Sequence, residues 1–208
     1  VLASSPDETI TEGLDGLRER LQEYYKLGAR FTKWRAVYKI SENYPSKLSI
    51  YSNAHALARY AALVQECGMV PIIEPEVLMD GNHGIEECFN KTSEVIEKCY
   101  EELNKNKIDL EGTILKPNMI LPGSKSKVSI DTRKIAELTI KCLKVSVPSE
   151  VTAIAFLSGG QSDIEATKNL NSINLMNDTK FIFTYSYGRA LQQSALKVWS
   201  KNLKDIEG

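Results

Sequence analysis

The sequence is poor in histidine, with only His55 and His83, and neither has a metal-ligand neighbour at useful spacing. A catalytic zinc commonly draws on three protein ligands, histidine foremost, so metal-dependent chemistry is disfavoured and no metal is expected. No C-x-x-C pair occurs among Cys67, Cys88, Cys99 and Cys142, which fall mostly on apolar positions of helical stretches. They read as reduced structural thiols of a cytoplasmic protein. No apolar run reaches the roughly 18 residues of a membrane span, and the opening Val1 to Pro6 lacks the charged and apolar regions of a secretion signal. Nor is there a block of like charge. With 26 basic and 27 acidic residues and a formal net charge of -1, the chain has no electrostatic footprint for nucleic acid or an anionic membrane, and any anion site must be local. There is also no initiator methionine, and Val1 opens what reads as the middle of a loop.

What is present is ordinary globular composition, 42% hydrophobic and 25% charged over 208 residues, enough to bury a sizeable core. A capping-box pattern at Thr9 and Glu12 precedes Leu14, Leu17, Leu21 and Tyr24 at helical spacing, with Gly28 as a stop. Arg30 to Tyr38, aromatic and β-branched, reads as a strand. The alternation then recurs: helix from Ser52 to Cys67, strand from Val70 to Glu74, a long amphipathic helix carrying Cys88, Val95, Cys99 and Leu103, and strand from Thr113 to Lys116. Asp131 caps the next helix, before a strand from Thr152 to Leu157. Ser162 and Glu165 form a capping box opening another helix, before the strand Phe181 to Ser186 and a last helix with Leu191, Leu196 and Trp199. Five short strands alternating with helices imply right-handed βαβ units and a parallel sheet.

Polar residues mark the strand ends. Lys33, Glu74, Lys116 and Ser158 recur every 41 or 42 residues, so each unit delivers one polar group to an equivalent place. A (β/α)8 barrel gathers its chemistry at the carboxyl ends of its strands, and a doubly wound sheet also binds ligands there, so both architectures fit. Period 2 puts Lys33 and Arg35 on one strand face, and Glu74 and Glu76 on one face of the next. Taken singly, each is a structural ion pair as readily as a catalytic group. Together, two lysines and two glutamates suit amine catalysis, in which an ε-amino group attacks a ketone and becomes an iminium that draws electrons from a breaking carbon–carbon bond. The amine must be neutral to attack, whereas a free lysine titrates near about 10.4; burial and a neighbouring cation are the general means of lowering that value. A nearby glutamate moves protons. Further along, Ser158-Gly159-Gly160 joins a strand to a capped helix and would offer backbone N–H groups at the helix N-terminus. Ser186-Tyr187-Gly188-Arg189 repeats the arrangement and adds a guanidinium. Either word alone is equally a tight turn, but the pair reads as a phosphate clamp.

Several words of the sequence resemble class I, Schiff-base-forming fructose-bisphosphate aldolases: Phe31-Thr32-Lys33-Trp34-Arg35, Val70-Pro71-Ile72-Ile73-Glu74-Pro75-Glu76, Glu111-Gly112-Thr113-Ile114-Leu115-Lys116-Pro117-Asn118-Met119, Leu157-Ser158-Gly159-Gly160-Gln161-Ser162 and Ser186-Tyr187-Gly188-Arg189, in the family's order. The resemblance implies a (β/α)8 barrel, of which residues 1–208 would be one partial domain of about five later units. It implies reversible cleavage of fructose 1,6-bisphosphate to dihydroxyacetone phosphate and glyceraldehyde 3-phosphate, with no cofactor beyond a covalent Schiff base on Lys116. It makes Glu74 the acid/base glutamate, Glu76 the second glutamate beside the lysines and Lys33 the lysine that tunes the amine and holds substrate hydroxyls. It makes Arg35 an active-site arginine, and Ser158, Gly159, Gly188 and Arg189 the grip on the phosphate nearer the ketone.

The resemblance also implies three earlier strands, with the aspartate that deprotonates the C4 hydroxyl, and a tail ending in tyrosine, none of which is in this chain. A five-strand remnant is expected to expose a sheet edge and to fold poorly or associate. The full-length form is expected to be a cytoplasmic homotetramer. A different reading is a catalytically incompetent fragment that keeps a phosphate-binding face and acts as a protein-interaction scaffold. A transaldolase-like barrel would share the chemistry but not these words.

Overall fold

Residues 1–201 are described by the computed structural model; residues 202–208, which end the expected 1–208 domain, lie outside the described residues. The elements run α1 (Leu17–Lys26), β1 (Phe31–Tyr38), α2 (Lys47–Glu66), β2 (Val70–Val77), α3 (Ile85–Lys105), β3 (Ile114–Leu115), α4 (Thr132–Ser146), β4 (Ala153–Phe156), α5 (Asp163–Met176), β5 (Ile182–Tyr185) and α6 (Arg189–Trp199). All five strands are parallel and stand in chain order, β1-β2-β3-β4-β5. That order decides between the two architectures. A doubly wound sheet reverses its order at a switch point, whereas an unbroken order with right-handed crossovers lays every helix on one face. Helices α2 and α3 pack on that face, and α1 to α6 form a layer in which α1 meets α2, α2 meets α3, α3 meets α4, α4 meets α5 and α5 meets α6. The fold is α/β, five consecutive βα units of a (β/α)8 barrel.

The strand alternation shows which face is which. In β1, Trp34, Ala36 and Tyr38 are buried under the helices, while Phe31, Lys33 and Arg35 point to the concave side and are exposed. The core between sheet and helices is continuous: Leu57, Ala61 and Val64 of α2, Val95, Ile96, Cys99 and Leu103 of α3, and Ala136 and Leu143 of α4 meet Ile73, Leu115, Ile154 and Phe156 of the strands. Burial pushes the Cys99 thiol up to about 12 and the Cys142 thiol up to about 11, as expected of inert structural cysteines. On the open edges and concave face, Phe31, Ile182 and Tyr185 are exposed, as are Leu191, Val198 and Trp199 of α6.

Helix starts divide by whether a local cap survives tertiary competition. Asp131 accepts from Lys134 N, and Ser162 and Glu165 close a capping box. The box expected at Thr9 and Glu12 is not made, and α1 begins instead after Gly16, which sits at φ 63 without a side-chain cap. Thr9 and Thr11 are taken up elsewhere: Asn53 Nδ2 donates to Thr9 O at 2.9 Å, and Thr11 Oγ1 donates to Arg35 O at 2.5 Å. The next helix starts earlier than expected, at Lys47, because Ser46 caps it by accepting from Ser49 N at 3.1 Å. The strand expected over Thr113 to Lys116 shrinks to Ile114–Leu115, since Pro117 has no N–H to continue the ladder.

That Ser46 cap is itself held by Glu8, a buried carboxylate which accepts from Ser46 N at 2.9 Å, from the Ser46 hydroxyl and from the Ser5 hydroxyl at 2.7 Å. Burial alone would raise the Glu8 carboxyl, but the hydrogen bonds from Ser46 and Ser5 outweigh it and hold it below the ordinary 4.5. A folded-state value below the unfolded one stabilises the fold above the unfolded value, and this contribution fades as pH falls from 4.5 through the folded value. Glu8→Gln is expected to cost about 1–2 kcal/mol at pH 7, and the gap from the parent protein should narrow below pH 4.5. Urea melts at pH 7 and at about pH 3 check this; a gap that stays constant would contradict it.

Candidate active site

β1 and β2 present their charged side chains to the concave side along the strand, and the later strands present theirs just past the carboxyl end. Lys33, opposite Ile72 and near the amino end of β1, does not take the place equivalent to Glu74 that the spacing implies. Lys33 and Arg35 project from β1, with Arg35 registered opposite Glu74 of β2, and Val37 opposite Glu76. Lys116 follows β3 immediately, its backbone N–H bonded to Ile73 O at 2.7 Å. Beyond it the ladder gives way to a side chain: buried Asn118 accepts from Val77 N at 2.9 Å and donates to Thr92 Oγ1 and to Met119 O, each at 3.1 Å. Leu157 N completes the hold by donating to Pro117 O at 3.1 Å. Lys116 therefore issues from backbone fixed on both sides, on rigid sheet rather than on a loop.

The charges are interlocked. Glu74, with 4% of its side chain exposed, stands 3.1 Å from Lys116 Nζ through one oxygen and 3.2 Å from Lys33 Nζ through the other. The oxygen facing Lys33 makes an ion pair without hydrogen-bond geometry and is otherwise buried and unpartnered. Lys116 is 12% exposed and Lys33 46%, so the first is enclosed and the second is half in solvent. Glu76 pairs with Arg35, Nε to Oε2 at 2.6 Å. Its partner is thus the arginine and not a lysine: Arg35, opposite Glu74 in register, reaches diagonally to Glu76 just as Lys33, opposite Ile72, reaches diagonally to Glu74. Glu76 and Arg35 form the far wall of the site.

An open pocket of about 450 Å³ is lined by Arg35, Glu74, Glu76, Lys116, Leu157, Ser158, Gly159, Ser186, Gly188 and Arg189. Every sequence-predicted site residue lies on it except Lys33, which reaches it through Glu74. Leu157 and Ser186 line it too, each beside a predicted site residue in the Leu157–Ser162 and Ser186–Arg189 segments. A larger hollow of about 580 Å³ lies on the helical side between α2 and residues 10–15 and holds none of the predicted residues. With Lys33 counted, four cationic side chains face two carboxylates, a local excess of positive charge suited to a dianion.

The anion-binding expectation is corrected in one respect. The N-terminus of α5 is already satisfied, with Glu165 accepting from Ser162 N at 3.1 Å, Ser162 accepting from Glu165 N at 3.2 Å and Asp163 accepting from Ile164 N at 2.9 Å. Two carboxylates occupy that helix end, so it offers no welcome to phosphate. The turn before it does face the pocket: Ser158 O accepts from Gln161 N at 3.0 Å across Gly159 at φ 59 and Gly160 at φ 87. Those left-handed values are a type I′ turn, which strains any residue other than glycine, asparagine or aspartate. The N-terminus of α6, by contrast, has no side-chain cap, and its Gly188 and Arg189 line the pocket.

Among the described residues, no group of three or more histidine, cysteine, aspartate and glutamate side chains is placed to hold one metal ion, and no helix is long and apolar enough to cross a membrane. The site is an enclosed amine in contact with a buried carboxylate, beside a two-glycine turn on the concave side of parallel barrel strands, a class of site suited to amine chemistry.

Comparison with known proteins narrows the class. The family model described as Fructose-bisphosphate aldolase class-I matches residues 1–207. The chain is 52% identical over 207 residues to fructose-bisphosphate aldolase 4, cytosolic, of Arabidopsis thaliana, covering 99% of this chain and 53% of that protein. It is 50% identical over 203 residues to a probable fructose-bisphosphate aldolase class 1 of Xylella fastidiosa (strain 9a5c), covering 98% of this chain and 61% of the relative. Fructose-bisphosphate aldolase from Plasmodium falciparum, solved in complex with TRAP and a small-molecule inhibitor, superposes with a TM-score of 0.94 at 45% identity, covering 97% of this chain and 58% of that one. The chain belongs to the class I fructose-bisphosphate aldolase family and spans between about half and three fifths of the length of these relatives.

Proposed function

We propose that the protein acts in the reversible cleavage of fructose 1,6-bisphosphate to dihydroxyacetone phosphate and glyceraldehyde 3-phosphate, with Lys116 as the amine. The observation that carries this reading is the Glu74 carboxylate set between two lysine ammonium groups, 3.1 Å from the enclosed Lys116 and 3.2 Å from the half-exposed Lys33. In the ketone half of the reaction, Glu74 takes a proton from the Lys116 ammonium group 3.1 Å away, and the neutral amine adds to the carbonyl. The carbinolamine loses its hydroxyl as water after Glu74 supplies a proton, and the iminium then accepts the electron pair of the breaking carbon–carbon bond. The enamine left by that cleavage takes a proton at carbon to become an iminium again, and addition of water then frees the ketone and returns a proton to Glu74. Lys33 supplies a second positive charge beside the reacting amine and reaches substrate hydroxyls. Arg35 and Glu76 shape the opposite wall. Ser158, Gly159, Gly188 and Arg189 hold the phosphate on the ketone side.

The test is borohydride trapping with dihydroxyacetone phosphate, followed by peptide mass mapping. A single adduct on Lys116 is expected. Glu74→Gln, which removes the proton carrier but keeps the shape, should slow adduct formation by about 10²–10⁴-fold. An adduct on Lys33 instead would reverse the roles of the two lysines. Binding of dihydroxyacetone phosphate without any trapped adduct would favour the phosphate-binding scaffold, a reading for which the Plasmodium falciparum complex with TRAP is the one supporting observation. Cytoplasmic residence is supported by three Arabidopsis thaliana relatives named as cytosolic. A homotetramer of the full-length form belongs to the same reading, and sedimentation would test it.

A further inference from the structure

Behind the anion-binding turn lies a pair of buried amides that the reaction does not itself use. Gln161, 8% exposed, donates from Nε2 to Ser158 O at 2.9 Å, so that carbonyl receives both the backbone and the side chain of one residue. The Gln161 side-chain oxygen in turn accepts from Asn169 Nδ2 at 2.7 Å. Asn169 sits at 4% exposure in the middle of α5, and Gln161 Nε2 also approaches Met119 Sδ at 3.7 Å, just past β3. The turn separates two cavities. Ser158 and Gly159 face the candidate active site, whereas Gly160, Gln161 and Asn169 line a cleft of about 300 Å³ on the other side.

A two-glycine turn is a poor scaffold by itself, because glycine has the largest backbone freedom to lose. Its orientation must come from elsewhere. The capping box fixes the chain after the turn and the β4 ladder fixes it before, but the peptide between Ser158 and Gly159 is governed by the Ser158 carbonyl, whose two acceptor positions are both taken by Gln161. We propose that Gln161, braced by Asn169, is a positioning residue that sets the Ser158–Gly159 peptide for the phosphate group of the substrate; this rests on the aldolase reading above. Its role is to hold the phosphate half of the site and leave the amine half untouched. Among the described residues, no hydrogen bond or ion pair joins Gln161 or Asn169 to Lys116, Glu74 or Lys33.

That separation makes a measurement a general structural role would not satisfy. In Gln161→Met, which keeps the length and removes both amide functions, trapping of dihydroxyacetone phosphate on Lys116 is expected to slow about tenfold. Trapping of unphosphorylated dihydroxyacetone should stay within about twofold. An equal fall for both ketones, or no change for either, overturns the proposal. The anion half is read independently by following the Gly159 amide resonance during titration with inorganic phosphate. A phosphate-dependent shift in the parent protein whose midpoint rises several-fold in Gln161→Met supports the proposal even if no ketone is trapped and the Schiff-base reading fails. No shift in the parent, or an unchanged midpoint, overturns it. Should Gln161→Met not fold, Asn169→Ser acts one hydrogen bond further back and must show the same split between the two ketones, in smaller measure.

Discussion

Lys116→Met is expected to abolish the borohydride-trapped adduct and to lower any cleavage by about 10⁵–10⁶-fold, while leaving the melting temperature close to that of the parent. The size follows from the role: without the nucleophile there is no iminium to receive the bond electrons, and loss of a covalent catalyst commonly removes all but the contribution of binding. The small effect on stability follows from the geometry. Methionine keeps most of the length of the lysine stem in an enclosed position, and Glu74 retains Lys33 at 3.2 Å. Lys33→Met is the matched control. It should slow the reaction yet still yield an adduct on Lys116, because Lys33 is half-exposed and has no enclosed carbonyl site of its own. An adduct that persists in Lys116→Met would show that the wrong lysine had been assigned.

Gly123→Ala should be the most damaging single methyl group in the described fold. The loops after β2 and after β3 are strapped together by Gly123 N to His83 O at 2.9 Å, Ser124 N to Met79 O at 2.7 Å and Lys125 N to Gly81 O at 2.8 Å. A Cβ on Gly123 would stand 2.5 Å from Gly81 O, 2.7 Å from Gly81 C and 3.0 Å from His83 N. These are backbone atoms with no side-chain rotamer to yield, so the strap must open or both loops must move. Gly81 itself lies at φ 131 and cannot readily adjust. The expected loss is about 3 kcal/mol, measured by urea denaturation. Faster proteolysis between residues 78 and 84 should accompany it, since His83, buried with neither ring nitrogen partnered, loses its cover when the strap parts. A variant as stable as the parent would mean that the two backbones do not approach this closely.

The sequence exposes the polar groups of the strands because two periodicities coincide there. The βα repeat of about 42 residues brings a polar group back in each unit, as Lys33, Glu74, Lys116 and Ser158, and the period of 2 along each strand assigns Lys33 and Arg35, or Glu74 and Glu76, to one face. Both are local patterns, and neither says how far one strand slides along the next. Register does: Lys33 stands opposite Ile72 and Arg35 opposite Glu74, and each reaches diagonally to the glutamate one same-face position further on, so Glu74 comes between the two lysines while Glu76 falls to Arg35. Caps tell the same story. Asp131, Ser162 and Glu165 act as their spacing suggests, whereas Thr9 and Glu12 do not, because Asn53 and the Arg35 carbonyl compete for that segment through hydrogen bonds spanning 44 and 24 residues.

What the sequence determined by itself, then, was the kind of element in each stretch, the face each charged residue takes, and the glycine turns that only φ above zero can satisfy. These depend on atoms a few residues apart. The choice of barrel units over a doubly wound sheet, the partner of each carboxylate, the closure of Gly123 on Gly81 and the bracing of Ser158 by Gln161 and Asn169 were decided only by the tertiary structure. Strand order, register and contact between loops are relations across some 40 residues, set by how the helical layer buries its apolar face on the sheet, and no short-range pattern in the chain encodes a distance of that kind.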